Sequence, residues 1–178
     1  MAENLINRRF KTDRPNKVWL SDITYIRTRE GWLYLSAVLD LYNRQIIGWS
    51  MEDRLTQNLV LQAFQQALGR RKPDPGVVFH SDRGSQYAAQ AFRSLLDQHQ
   101  FLQSMSAKGN CYDNAVMESF FHTLKTEVVY FERYRTRAQA RQSIFEYIEV
   151  FYNRIRRHSS LGYLSPLEFE NPMALKAA

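Results

Sequence analysis

A mixed α/β domain, with helices on both faces of one sheet, is predicted by three features of the sequence. Strand-like runs come first, over residues 18–28, 32–42 and 45–51. Helical and strand-like patterns alternate after them, the order expected when a sheet is extended by crossover connections. Finally, a chain of 178 residues with 44% hydrophobic content can bury one sizeable core without disulfides or a structural metal.

The first two runs join across Arg29, Glu30 and Gly31, and the third follows Asn43 and Arg44, so the three make an antiparallel meander. Asp40, closing the second run, reads as a turn-capping residue beside Asn43. Residues 56–69 place Leu59, Val60, Ala63, Phe64, Ala67 and Leu68 on one helical face, with Gly69 as the stop. Val77, Val78 and Phe79 form a buried fourth strand that ends in a turn at Arg83, Gly84 and Ser85. A second helix is expected over residues 88–100 and a short fifth strand over 101–105. Residues 106–112 then lead, as a polar loop, into a helix over 113–129. Its Val116, Met117, Phe120, Phe121, Leu124 and Val128 share one broad stripe, while Glu118, His122 and Lys125 share the other side. The capping-box pattern from Thr136 to Gln139 opens a long helix through Tyr152. Residues 1–16 read as a solvated basic arm or linker, 17–165 as one core domain, and 166–178 as an irregular tail marked by Pro166 and Pro172.

Within this frame three acids stand apart. Asp22 lies inside a strongly strand-forming run, where a charge is costly unless a cation or hydrogen bonds compensate it. Asp82 sits at the carboxyl end of the fourth strand, where open α/β sheets place ligands; capping the turn beside Gly84 and Ser85 is its equally ordinary alternative. Glu118 alone would be an unremarked helix residue. Together the three carboxylates make a candidate site for Mg²⁺, which favours carboxylate oxygens and keeps waters or phosphates as further ligands. Two such ions about 3.5–4 Å apart would serve an in-line displacement at a phosphodiester. Lys125, two turns beyond Glu118, is placed to hold a phosphate, a solvated or ion-paired lysine being the competing role. His80 and His122 either orient a ligand or are satisfied structural groups.

Composition narrows the function classes. A net charge of +6 makes a polyanion a plausible partner. Arg133, Arg135, Arg137, Arg141, Arg154, Arg156 and Arg157 are assigned to DNA, and most of the interleaved aromatics to packing. One cysteine excludes a disulfide framework, and with four histidines it leaves little for a zinc hydrolase. No glycine-rich phosphate loop, signal peptide or apolar run of about 20 residues is visible, so a cytoplasmic protein without a membrane partner is expected.

The motifs are specific enough to name a family. The sequence resembles the catalytic core of DDE insertion-sequence transposases, which are similar to retroviral integrases. The resemblance rests on Trp19 to Tyr25, Gly31 to Leu35, His80 to Tyr87, Ser104 to Ser106, and Asp113 to Ala115 leading into Glu118 to Phe120. It continues through Tyr152 to His158, Leu161 to Tyr163, and Ser165 with Pro166. The 35 residues between Asp82 and Glu118 match the spacing of that group. The resemblance implies a ribonuclease-H-like fold: a mixed five-stranded sheet, three strands antiparallel and two parallel, with helices on both faces. It implies Asp22, Asp82 and Glu118 as the catalytic, metal-binding triad, using Mg²⁺ with Mn²⁺ as a substitute and two ions once DNA is bound. Lys125 falls where the family contacts terminal DNA, and Lys108, Arg154, Arg156 and Arg157 are the further expected DNA contacts.

The implied reaction is cleavage at element ends followed by strand transfer of the 3′-hydroxyl into target DNA, by a homo-oligomer that synapses two ends. A structure-selective nuclease of the same fold and a catalytically silent DNA-binding or multimerisation fragment are the alternatives. Two departures are visible. Ala107 stands where the family often has a basic residue. No helix-turn-helix pattern precedes Val18, so end recognition is expected to fall to a partner or a fused segment.

Overall fold

Apolar residues on both faces at the start of the first strand let it serve two cores at once. The computed structural model describes residues 2–107 and 111–171. In β1 (Val18–Thr28), Val18, Leu20 and Ile26 enter one apolar cluster and Trp19 enters the other. β2 (Gly31–Asp40) pairs antiparallel with β1 from Trp19 opposite Asp40 to Thr28 opposite Gly31. The tight connection is possible because Gly31 adopts φ +118°, a region closed to most side chains. β3 (Ile46–Glu52) continues the meander with a register shift at Val38 and Leu39. β4 (Val78–Ser81) then lies parallel to β1, Leu20 opposite His80, and β5 (Leu102–Met105) lies parallel to β4. The sheet order is β3-β2-β1-β4-β5, the mixed five-stranded arrangement expected.

Helices cover both faces. α1 (Gln57–Arg71) and α3 (Gln90–Gln98) bury Val60, Phe64, Phe92 and Leu96 against Trp19, Val38, Ile47 and Phe79. α4 (Ala115–Glu127) and α5 (Arg137–Glu146) bury Met117, Phe120, Leu124 and Ile144 against Leu20, Leu33, Leu35 and Leu39 on the opposite face. α1 lies so close to β3 that a Cβ on Gly48 would stand 2.2 Å from the Ala63 carbonyl oxygen and 2.8 Å from the Ala67 nitrogen.

Several elements differ from the pattern reading. α1 runs through Gly69 and ends at Lys72, which takes the left-handed conformation at φ 44°. Arg71 extends it, because its guanidinium bonds Asp40 at 3.2 Å and Glu170 at 2.5 Å. Asp40 is fully buried and caps as expected, accepting the Asn16 and Tyr42 amides, yet burial still pushes its carboxyl above the usual range. A short α2 (Ser85–Ala88) precedes α3, the two separated by extended backbone at Ala89. The helix expected through Tyr152 becomes π-helical over Tyr147–Tyr152. Just beyond it Asn153 is buried, and its amide both donates to and accepts from the Ile46 backbone.

Both termini are more ordered than expected. The arm is docked through its first residues, although most of it stays exposed: Ile6 is buried in the α4-side core, the Leu5 amide donates to Ser104, and the Met105 amide donates to the Glu3 carbonyl. β5 is the sheet edge on that side, and its free backbone groups are a ready partner for an extended segment. The irregular tail is in part helical, since α6 (Pro166–Glu170) begins with a capping box between Ser165 and Glu168 and has Pro166 at its first position. Pro172 and the rest of the tail lie outside the described residues.

Two consequences can be measured. Gly48→Ala forces α1 off the sheet against backbone atoms, so stability should fall by about 1–3 kcal/mol in denaturant unfolding; an unchanged midpoint would show that the helix shifts freely. His158 packs edge-on against Tyr152, with ring centroids 4.9 Å apart. Burial, reinforced by Arg156 and Arg44 and opposed by Glu127, lowers its pKa to about 4. An unfolded histidine titrates near 6.5, so the unfolded chain binds the extra proton first. The stability tied to His158 is therefore present above pH 6.5 and lost as pH falls toward 4. Thermal midpoints across that range should fall more steeply for the wild type than for His158→Gln.

Candidate active site

The three acids are brought to one edge by strand register and helix placement. Leu20 and His80 are opposite each other in the parallel β1–β4 ladder. Asp22 and Asp82 each lie two residues further on, at the carboxyl end of that pairing. Asp22 has the parity of Leu20, so the pleat turns it toward the face that α4 covers. Glu118 lies on the exposed side of the first turn of α4. The expected division of this helix holds: Val116, Met117, Phe120, Phe121 and Leu124 are buried, whereas Glu118 and His122 are exposed and Lys125 is partly covered.

The electrostatics single out Asp22. Burial pushes its carboxyl up to about 7; the Ile23 amide, donating to Oδ1 at 2.8 Å, opposes this, and the charges of Asp82 and Glu118 add to it. Among the described residues no ion pair involves Asp22, Asp82 or Glu118. These mutually repelling carboxylates therefore have no described cation paired to them. Such a donor set suits a hard divalent ion. Asn114 adds a second sign: it is buried, and its Oδ1, a further hard donor, has no hydrogen-bond partner among the described residues. The acids do not form a closed cage, however. Among the described residues no three His, Cys, Asp or Glu side chains are grouped as a metal site, and Asp82 Oδ1 accepts the Gly84 amide at 2.9 Å. Asp82 therefore also has the turn-capping contact that its neighbours predicted.

A supporting layer went unnoticed in the sequence. Ser21 donates to the Ala37 carbonyl at 2.9 Å, which leaves its oxygen to accept from the Tyr87 hydroxyl at 2.8 Å. Tyr87 is fully buried on α2, so this bond ties the turn after Asp82 to the residue before Asp22. Asn114, at the start of α4, donates to the Ser21 carbonyl at 3.2 Å and ties the Glu118 helix to the same point. His80 is structural, held between Ser104 at 2.8 Å and Ser106 at 3.3 Å, and burial lowers its pKa to about 4. Asp113 joins the arm to the loop before α4 by accepting from Asn4, Arg8 and the Ala107 amide. Against the upward push of burial, the Ala107 amide and Arg8 hold its carboxyl below the usual range. The only sequence signals for these roles were polar residues inside apolar runs and a tyrosine soon after Asp82.

The basic candidates separate. Lys125 Nζ stands over the Tyr25 ring, 5.3 Å from its centre, two turns along α4 from Glu118. Arg156 is held by Glu127 through a bidentate pair, with bonds of 2.7–2.9 Å, so its guanidinium is committed within the fold. Arg154 donates to the Glu149 carbonyl, and Arg157 is exposed. Arg137 and Arg141 bond the Trp32 and Met51 carbonyls, whereas Arg133 and Arg135 are exposed. Lys108 lies outside the described residues.

Comparison with known proteins adds an independent line. An integrase core domain model matches residues 12–111, and a second integrase core domain model matches residues 118–173. The chain is 52% identical over 167 residues to the transposase for insertion sequence element IS904 of Lactococcus lactis subsp. lactis (strain IL1403), covering 94% of this chain and 66% of that protein. It is 51% identical over 171 residues to transposase InsF for insertion sequence IS3A of Escherichia coli (strain K12), covering 96% and 59%. The chain thus spans less than two thirds of the length of these curated relatives. Among solved structures it superposes on a chain of the simian T-cell lymphotropic virus intasome in complex with PP2A regulatory subunit B56 gamma, with a TM-score of 0.75 at 14% identity. That match covers 96% of this chain and 58% of the other. The HTLV-2 integrase catalytic core domain in complex with magnesium gives 0.66 at 14% identity, covering 88% and 97%. At such identity the likeness is one of fold, the ribonuclease-H-like fold of retroviral integrase cores. Family match, identity to the bacterial relatives and sheet topology agree, and the chain belongs to the integrase core domain family.

Proposed function

We propose that this chain is the catalytic core of an insertion-sequence transposase, cutting DNA at element ends and joining the freed 3′ end to target DNA. The observation that carries the reading is the uncompensated acidity around Asp22. Its partly buried carboxyl is pushed up to about 7 beside Asp82 and Glu118, and among the described residues no cation is paired to any of the three. In this reading Asp22, Asp82 and Glu118 hold Mg²⁺, with Mn²⁺ as a substitute and two ions once DNA is bound. When bound there, the metal supplies activation of the attacking oxygen and stabilisation of the leaving one. The magnesium named with the HTLV-2 core supports the choice of ion.

The chain's own residues do the rest. Asp22 would release its proton to solvent on becoming a ligand, because only the carboxylate coordinates. Tyr87 and Asn114, through Ser21, hold β1, the turn after Asp82 and the start of α4 in one frame, so that the acids need move little. Lys125 neutralises a phosphate of the end being cut, and the exposed Arg157, with Arg154 and Lys108, adds contacts along the duplex. Arg156 serves the fold through Glu127 first. Strand transfer needs two ends, which supports a homo-oligomer, and an N-terminal helix-turn-helix partner or fusion would read the end sequence. Among the described residues no helix is long and apolar enough to cross a membrane, and we place the activity in the cytoplasm, at the nucleoid.

The test uses a preassembled branched DNA that mimics the strand-transfer product, which bypasses end recognition. With Mg²⁺ or Mn²⁺ the wild type should rejoin the strands, whereas Asp82→Asn and Glu118→Gln should fall to the metal-free background while still binding the DNA. Full activity in Glu118→Gln would remove that residue from the site. Binding without any metal-dependent reaction in the folded wild type would instead favour a silent fragment.

A further inference from the structure

A large cavity lies apart from the three acids, none of which lines it. A groove of about 920 Å³ runs between the β1–β2 hairpin and the turn that follows α4, lined by Tyr25, Trp32, Tyr130, Lys125, Arg27 and Arg133 among others. Its aromatic residues are displayed: Tyr25 is 56% exposed, Trp32 45% and Tyr130 71%, and none belongs to either core cluster. Tyr25 and Trp32 meet edge to face with ring centres 5.0 Å apart, and Lys125 Nζ lies over the Tyr25 ring at 5.3 Å, which holds both rings in place while leaving about half of each exposed. Among the described residues none of Arg27, Arg133 and Lys125 is in an ion pair, and one acid, Glu132, lines the same groove. Tyr25 lies on β1, three residues beyond Asp22, and Lys125 on α4, two turns beyond Glu118, so the groove is built on two of the elements that carry the acids.

Folding does not call for this arrangement. Exposed rings between such cations suit a ligand with flat apolar faces and regularly spaced negative charge. We propose that the groove binds an unpaired stretch of a DNA strand next to the reacting phosphodiester, its bases stacking on Trp32 and Tyr25 and its phosphates meeting Arg27, Arg133 and Lys125. A duplex keeps its bases stacked on one another and offers the rings no face, so the groove selects strand that has frayed or been displaced. An acidic protein segment would satisfy the cations but not the exposed rings. The identity of the strand as reaction DNA rests on the function proposed above; the binding itself does not.

The experiment therefore reads binding without catalytic metal. Fluorescence anisotropy of labelled oligo(dT), against a blunt duplex of equal length, is measured in EDTA for the wild type and variants. The wild type should prefer the single strand. Trp32→Ala should weaken single-strand binding by about 5- to 150-fold, the range for one stacked base, and Trp32→Phe should restore most of it. Arg27→Gln with Arg133→Gln should flatten the salt dependence by about 0.7 logarithmic units per lost phosphate contact. Thermal unfolding confirms that each variant is folded. Equal affinity of wild type and Trp32→Ala, or no preference over duplex, overturns the proposal. So does an oligomer that Trp32→Ala converts to monomer without changing DNA affinity, since the groove would then hold a second copy. Asp82→Asn should bind the strand as the wild type does. Trp32-dependent strand binding by a wild type that shows no metal-dependent chemistry defeats only the catalytic reading, and intact chemistry with Trp32-independent binding defeats only the groove.

Discussion

Parallel pairing between β1 and β4 is the constraint on which the site depends. Opposing Leu20 to His80 sets Asp22 and Asp82 at the same end of adjacent strands. A one-residue slip would turn Asp22 to the other face, away from α4 and Glu118. The register is protected because β1 is buried on both faces, Leu20 on one side and Trp19 on the other, so any slip would exchange two well-packed sets at once. Tyr87 and Asn114 then secure the two neighbouring segments to Ser21, one to its hydroxyl and the other to its carbonyl.

Acids inside this fold divide by whether the protein answers their charge. Asp40 is completely buried, but Arg71 and two backbone amides meet it. Asp113 is nearly as buried and is met by Arg8, Asn4 and the Ala107 amide. Glu127 has Arg156. These residues join distant parts of the chain: Arg71 connects the end of α1 to β2 and α6, and Asp113 connects the arm to the approach to α4. Asp22 has one amide and two like charges. Unpaired charge in a partly buried position is costly, and its persistence sets Asp22 apart from these braces.

The strand meander and the helix periods were legible in the sequence, because each depends on local pattern, period two or period 3.6; of the candidate site, Asp22 was legible as a charge inside an apolar run. Less was legible wherever a distant partner decided the outcome. α1 outruns Gly69 because Arg71 finds Asp40 and Glu170. The arm is ordered because edge strand β5 and the core accept it, and a basic composition carries no sign of either. Arg156, one of a run of similar arginines, is distinguished only by Glu127, 29 residues earlier.

The sequence by itself determined the fold class and the family, and it nominated three acids as the candidate site, since hydrophobic period and motif spacing are properties of neighbouring residues. Tertiary structure alone decided that Asp22 carries the raised carboxyl, that Tyr87 and Asn114 brace it, and that Tyr25, Trp32 and Lys125 share a groove. Burial, electrostatic field and close contact arise between residues far apart in the chain. They exist only once the strands and helices have packed.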